Sequence, residues 1–482
     1  MDLVNRASLL FDSSPALISP AATLSFRQCA SITSRIAGRL YEKGLRSGDA
    51  VAILSPNSPE SALLMMSLLG NGLIAAPLNH RFPPEQLLKT LQALHPEMVV
   101  TADPEIIKPG ESPFKAENMQ DIAFAASEPE IPDRSAPRMK MERPVTIIHT
   151  SASSGVPKAA QHSFGNHWYS ALGAARNMPL GNGDCWLLSL PFFHIGGYAV
   201  LFRALVSGSA VALPDPHESI ERSLERFPAT HLSLVPTQLY RLLRKPETLP
   251  ILRKLKAVLL GGSAVPAPLL AECIREGIPV FVSYGSTEMS SQIATTPAPD
   301  GSVRKNCGKP LPWRELAIAG DGEILVRGAC LFQGYLKNSA SGRQPHPELD
   351  SEGWFHTGDT GSLDDNGNLS VSGRKDNMFI SGGENLHCEE IEEALSTVEG
   401  IEQALVVPLA DREYGQRAAA FIKTAQPGTP TDDAITETML KTAGRLKTPV
   451  LYIRICQWVT LPGSQKIDRK WYNRQVREGK IH

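Results

Sequence analysis

Apolar positions in the first part of the chain fall alternately at helical and at strand spacing. Ile32, Ile36, Ala37, Leu40 and Tyr41 recur at helical intervals, and Gly44 supplies a stop. The turn Ser47–Asp49 leads into Val51–Leu54, a short apolar run that predicts a buried strand. The longest apolar segment, Ser61–Leu78, is broken by Gly70-Asn71-Gly72. A membrane-spanning helix needs about 20 uninterrupted apolar residues. The segment therefore predicts a buried helix, a turn and a buried strand. Further strands are predicted within Met98–Ala102, 145–150, 185–191, 210–214, 231–236, 257–262 and 280–285. Helix-like segments separate most of them, and this alternation predicts α/β layers with largely parallel sheets.

The texture changes twice. Between Asp103 and Pro144 prolines and charges crowd together, which predicts an irregular surface excursion. From Arg304 onward short strands and turns take over, as in Gly322–Gly328 and Leu363–Gly373, where Asn366-Gly367 between two apolar runs predicts a hairpin. About 100 residues in α+β style follow Arg374-Lys375-Asp376. The expected division is an N-terminal domain over 1–375, with α/β subdomains and a β-rich subdomain, and a small α+β domain over 376–482.

The 482 residues are 42% hydrophobic and 20% charged, with a formal net charge of -2. That describes a globular protein with ample core and gives no electrostatic reason to expect nucleic acid. Seven scattered cysteines show no metal-ligand spacing, so reduced thiols in a cytoplasmic compartment are expected. The first residues, with one Arg and a short apolar run, do not read as a signal peptide.

Six segments carry candidate chemistry. The stretch TSASSGVPK, Thr150–Lys158, follows a buried strand and offers hydroxyls, backbone N–H groups and an ammonium to a phosphate. It lacks Walker A spacing, and a surface turn explains it equally well in isolation. In SLPFFHIGGY, His194 follows two Phe and could gate an aromatic pocket or sit satisfied in the core. In YGSTEMSS, Thr287 and Glu288 stand at a strand's C-terminal end, where α/β sheets bind ligands. Glu288 suits Mg²⁺, and a capped helix start is the competing reading. Asp359 in WFHTGD and Arg374 in GRKD could grip a ribose diol. The run Glu389–Glu393 reads as a solvated helix face, and Lys466 occupies a turn near the C-terminus.

Taken in this order, the segments resemble the adenylate-forming superfamily over nearly the whole chain. The resemblance implies ATP, Mg²⁺ and CoA as cofactor and co-substrates, a small carboxylic acid as substrate, and a C-terminal domain that is mobile. It implies that Thr150, Ser151, Ser153, Ser154 and Lys158 hold phosphates, Thr287 the α-phosphate and Glu288 the metal. Gly262, Ser263, Ala264, Tyr284 and Gly285 would enclose adenine, with Asp359 and Arg374 on the ribose. Lys466 would be the catalytic lysine, His194 would line the reacting site, and Asp376 would be the hinge that brings Gly382-Gly383 toward CoA. The stretches WLLSLPFFHIGG, LSLVPTQLYRLL, LKAVLLGGSAVP and DNMFISGGENLHCEEIE are similar to the o-succinylbenzoate–CoA ligase branch. That branch implies Arg203, Ser233, Gln292 and the Gly262 backbone around the acid, although Arg203 could equally be a solvated helix residue.

Two positions depart from the family pattern. Ala152 replaces a glycine of the phosphate loop, and Gln465 replaces the glycine before the lysine. A CoA ligase for another acid and an adenylate-binding protein without ligase activity stay open as alternatives, as do a monomer and a homodimer.

Overall fold

The computed structural model describes residues 2–103, 114–124, 139–150, 158–302, 306–339, 342–461 and 466–480. Two large sheets form the N-terminal part. In the first, strands lie in the order Lys309–Pro310, Ser291–Thr295, Val280–Ser286, Ala257–Leu260, His231–Leu234, Cys185–Leu187, Ala210–Ala212, Pro15–Ile18 and Thr23–Ser25. The six strands from Val280–Ser286 to Pro15–Ile18 are parallel, with antiparallel neighbours at both edges. The second sheet runs Gly342–His346, Gly334–Ser339, Ala159–Ser163, Pro144–His149, Ile74–Pro77, Ala50–Leu54, Met98–Thr101 and Ala116–Asn118. The helix-and-strand alternation read from the sequence is thus realised, and each expected apolar run holds a strand.

The helix Pro59–Gly70 is buried from Ser61 to Gly70. A helix apolar on every side belongs inside, not in contact with water. Ser58 caps it by accepting from the Ser61 N–H at 3.2 Å, and Pro59 opens the first turn, where no N–H is needed. One expectation needs correction. Within the irregular excursion, Ala116–Asn118 extends the second sheet and a short helix, Met119–Phe124, buries Met119, Ile122 and Ala123. Those apolar contacts outweigh the surrounding charge; residues 104–113 and 125–138 of the excursion lie outside the described residues.

Four antiparallel strands, Glu315–Ile318, Glu323–Arg327, Phe355–Leu363 and Leu369–Arg374, form the β-rich part. Their last hairpin turns at Asn366-Gly367 as expected: Gly367 has φ +78, and Asp364 Oδ1 accepts from the Asn366 and Asn368 N–H groups. The C-terminal part has a five-stranded sheet of its own over a separate core including Phe379, Leu386, Ile391, Leu395, Val406 and Ile422. Among the described residues no helix is long and apolar enough to cross a membrane. All seven cysteines are unpaired.

Candidate active site

The parallel strands of the first sheet end on one side, and the segments at their C-terminal ends supply one group of the predicted residues. Gly262, Ser263 and Ala264 follow Ala257–Leu260 and are solvent-accessible. Tyr284, Gly285, Thr287 and Glu288 occupy the end of Val280–Ser286 and the turn after it. That turn is tight: a Cβ on Gly285 would fall 2.1 Å from the Ser291 carbonyl oxygen, and Ser290 and Ser291 take positive φ values of 54 and 107. Residues with a Cβ rarely hold such values unless their surroundings fix them. Here Ser170 Oγ donates to the Ser290 carbonyl at 2.7 Å, and Ser290 Oγ to the Cys330 carbonyl at 3.0 Å.

The two residues expected on the ribose are brought together. Asp359 and Arg374 face each other in register on adjacent strands, with Arg374 Nη1 3.0 Å from Asp359 Oδ1. Tyr284 Oη donates to Asp359 Oδ2 at 2.7 Å. Burial raises the Asp359 carboxyl above its ordinary pKa despite the bonds from Tyr284 and Arg374 that oppose it. Burial, with Asp359 adding, pushes the Tyr284 phenol up, so it stays a donor. Arg374 Nε also reaches Asp376 Oδ1 at 3.2 Å, which ties the ribose grip to the expected hinge.

On the phosphate side, the Thr150 N–H donates to the Lys158 carbonyl at 2.9 Å and closes the base of the expected loop. Ser151, Ser153 and Ser154, with Ala152, lie outside the described residues, as does Gln465. Lys158 Nζ sits 4.4 Å over the Tyr335 ring and 3.3 Å from Glu348 Oε2. Tyr335 Oη donates to Glu288 Oε1 at 2.5 Å. His162 Nε2 donates to the Thr287 carbonyl at 2.7 Å, and the Phe332 N–H donates to the Glu288 carbonyl at 2.7 Å. The Thr287-Glu288 pair is therefore pinned from two neighbouring segments. No group of three or more His, Cys, Asp or Glu that could hold a metal occurs among the described residues. A single carboxylate beside a phosphate loop suits Mg²⁺, which is usually held by one or two carboxylates plus substrate phosphates.

His194 precedes the helix Ile195–Ser207, on a loop pinned by Asn57: its Nδ2 donates to the Leu190 carbonyl and its Oδ1 accepts the Phe192 N–H, both at 2.9 Å. Gly197 permits the turn, since a Cβ there would lie 2.2 Å from the Pro191 carbonyl oxygen. Burial, with the charges of Lys466 and Arg81 adding, lowers the His194 pKa to about 4. The imidazole is neutral at pH 7. Lys466, from the far end of the chain, keeps open surface as a residue while protein crowds its ammonium end. That crowding, with the Arg374 charge, lowers its pKa, and Asp359 opposes the shift.

Arg203 is not a solvated helix residue; it is 4% exposed. Its Nη2 donates to Gln292 Oε1 at 2.9 Å and to Ser291 Oγ at 3.2 Å, and its guanidinium lies 5.2 Å from the Trp186 ring. Nε and Nη1 have no hydrogen-bond partner among the described residues. Burial, with the cation Arg314 adding, lowers its pKa to about 9. Ser233 is buried nearby and its Oγ accepts from Trp186 Nε1 at 3.2 Å. Gln292 is also buried and passes a second bond to Thr295 Oγ1 at 2.9 Å.

In the C-terminal part, Gly382 and Gly383 form the turn between Met378–Ser381 and Glu384–His387, both with positive φ. The acidic run is not wholly a solvated face, as the sequence suggests. Glu392 takes a two-pronged ion pair from Arg469 at 2.7 and 3.0 Å and accepts the Val406 N–H at 2.6 Å. A partner 77 residues away left no local mark. Arg469 stands three residues beyond Lys466, so this pair anchors the stretch that carries the lysine. Tyr335, His162 and Glu392–Arg469 are the site-building residues that sequence reasoning missed. The Gly334-Tyr335 pair opening a strand was the available signal for the first.

Comparison with known proteins follows the same outline. Residues 7–336 match the family of AMP-binding enzymes. A 2-succinylbenzoate–CoA ligase of Salmonella typhimurium is 35% identical over 464 residues, covering 95% of this chain and 93% of the relative. One from Escherichia coli is 32% identical over 463 residues, covering 94% of each. Among solved structures, the o-succinylbenzoate CoA synthetase of Bacillus subtilis in complex with its acyl-adenylate intermediate superposes with a TM-score of 0.86 at 28% identity, covering 98% of this chain and 97% of that one. The same enzyme in complex with ATP and a magnesium ion gives a TM-score of 0.85 at 29% identity, covering 97% and 98%. The likeness runs through both the large N-terminal and the small C-terminal part, and this chain belongs to the AMP-binding enzyme family.

Proposed function

We propose that this protein is an AMP-forming acid–thiol ligase that joins 2-succinylbenzoate to CoA through an acyl-adenylate. The observation that carries the reaction type is the convergence of Lys466 with Asp359, Arg374 and His194. In the first half-reaction a carboxylate oxygen attacks the α-phosphorus of ATP, forming the acyl phosphate bond as pyrophosphate leaves. Two anions must approach each other, so neutralising charge matters more than moving protons. Lys466 supplies an ammonium between them, and Thr287 donates to the α-phosphate. Ser151, Ser153, Ser154 and Lys158, after Thr150, hold the β- and γ-phosphates. Mg²⁺ held by Glu288 would supply charge neutralisation at the leaving phosphates. Gly262, Ser263, Ala264 and Gly285 with Tyr284 enclose adenine, and Asp359 and Arg374 take the ribose.

In the second half-reaction the CoA thiolate attacks the acyl carbonyl carbon and AMP departs with its phosphate. We infer a domain boundary between residues 375 and 376. A swing about Asp376 would withdraw Lys466 and present the Gly382-Gly383 turn. Seven unpaired thiols fit a reducing compartment, and the cytoplasm is the proposed one.

Arg203 supports the choice of a diacid. Among the described residues, two nitrogens of its buried guanidinium have no partner, and the charge that acts on it is a second cation, Arg314. A buried charge left unpaired is costly, and an acid with a second carboxylate would offset that cost. Gln292 holds Arg203 and Ser233 holds Trp186 by one hydrogen bond each. Pyrophosphate release should be fastest with 2-succinylbenzoate and about 100-fold slower in kcat/KM with a mono-acid of the same ring and ketone, since a charged hydrogen bond is worth roughly 1.5–3 kcal/mol. Equal rates for the two acids would refute the assignment of the substrate. No pyrophosphate release with any acid tried would refute the ligase.

A further inference from the structure

Tyr335 touches both expected phosphate-side groups at once. Its hydroxyl donates to Glu288 Oε1 at 2.5 Å while the face of its ring carries Lys158 Nζ at 4.4 Å. The strand that bears it, Gly334–Ser339, pairs with Ala159–Ser163 so that Tyr335 is opposite Ala160, two residues from Lys158. The segment before it grips the Glu288 backbone through the Phe332 N–H, and the Phe332 ring meets Tyr335 edge-on at 4.8 Å. The residue is 8% exposed.

We propose that Tyr335 is the positioning residue that joins the metal-binding carboxylate and the phosphate-binding lysine into one unit. This rests on the roles proposed above for Glu288 and Lys158. A phenol bonded to Oε1 fixes the carboxylate's rotation and leaves Oε2 as the oxygen presented to a cation. The two contacts reinforce each other. Donating a proton toward an anion raises electron density on the phenol, and a richer ring face holds an ammonium more strongly. ATP with its metal meets a carboxylate and an ammonium already spaced by a rigid aromatic ring, which lowers the ordering cost of binding.

The test compares wild type with Tyr335→Phe and Tyr335→Leu. Binding of Mn²⁺ in the presence of a non-hydrolysable ATP analogue is read by the loss of the free-ion EPR signal. Binding of the analogue alone is read by calorimetry in EDTA. Tyr335→Phe keeps the ring, so it should weaken Mn²⁺ uptake about five- to tenfold, the worth of one charge-assisted bond, while metal-free nucleotide affinity stays within about twofold. Tyr335→Leu should weaken both, with KM for ATP rising and kcat for thioester formation from supplied acyl-adenylate unchanged. A purely structural role would lower both affinities together in Tyr335→Phe, and that result overturns the proposal. So does Mn²⁺ uptake in Tyr335→Phe equal to that of wild type. No Mn²⁺ uptake by the wild type itself would instead overturn the assignment of Glu288 to the metal. Thermal unfolding of Tyr335→Phe checks that the fold is retained, since that change removes one oxygen and no packing volume.

Discussion

The residues proposed for the ribose and the lysine proposed for catalysis are positioned by opposite means. Asp359 and Arg374 stand opposite each other in register on paired strands, and Tyr284 reaches Asp359 from a strand of the first sheet. Their geometry is a by-product of sheet formation and needs nothing from the C-terminal sheet. Lys466 follows a short stretch after the last strand and is steadied by an isolated bridge, Thr460 with Ile467, and by the Arg469–Glu392 pair behind it. A strand-built site is fixed once the sheet forms. A lysine on a loop of another sheet can arrive and leave. The contrast indicates which groups serve both half-reactions and which serves one.

The sharpest break in that comparison is Lys466→Ala. Adenylation should fall about 100- to 1,000-fold, the usual cost of removing one preorganised charge-stabilising donor. Thioester formation from supplied acyl-adenylate should stay within about twofold, because the lysine is expected to have left by then. Equal loss in both half-reactions would erase the distinction. Asp359→Ala should act on the fixed side instead. KM for ATP should rise about 10- to 100-fold, and acyl-adenylate affinity should fall with it, since the carboxylate serves the ribose throughout. Stopped-flow binding of the acyl-adenylate would show whether both fall together.

A smaller effect probes the anchor. Glu392→Gln should slow adenylation about tenfold by loosening the lysine's stretch, and lower unfolding free energy by ~2 kcal/mol, discounted for the pair's partial exposure. Loss of stability with adenylation and thioester formation slowed equally would make the pair structural only. The smallest effect is silent at pH 7. Burial lowers His149, His162 and His194 to about 4 each. Between pH 6.5 and 4 the unfolded chain binds more protons at these positions, so stability is full above pH 6.5 and declines as the pH falls. Each contributes a slope of up to about 1.4 kcal/mol per pH unit in that window. His162→Gln retains a donor for the Thr287 carbonyl and should flatten the slope of unfolding free energy against pH by one histidine. An unchanged slope would show that His162 does not titrate on unfolding.

Much of the large N-terminal architecture was legible because its strands are short continuous apolar runs closed by turns, and because the loops after them carry the chemistry. Asp359 and Arg374 could be paired from sequence by their chemistry and by resemblance; their register was not visible. Arg203 lay open between a solvated and a buried reading, since a helical position does not say which face meets the core. Its neighbours Gln292 and Trp186 are distant in the chain. The acidic run Glu389–Glu393 misled because charge suggests water, while Arg469 supplies a counter-charge from another helix. Tyr335 escaped because its meaning depends on how two strands align. Local pattern reports burial and turns; it does not report which distant side chain completes a charge.

The buried guanidinium of Arg203 carries a consequence for the life of the protein. On the proposed reading, the acid is a missing piece of the interior as well as a reactant. Whatever binds the native state alone stabilises it in proportion to its occupancy, by about 2.7 kcal/mol at a hundredfold excess over Kd. The enzyme should therefore melt later in the presence of its diacid even without ATP. In the cell, the amount of intact ligase would follow the supply of the compound it consumes.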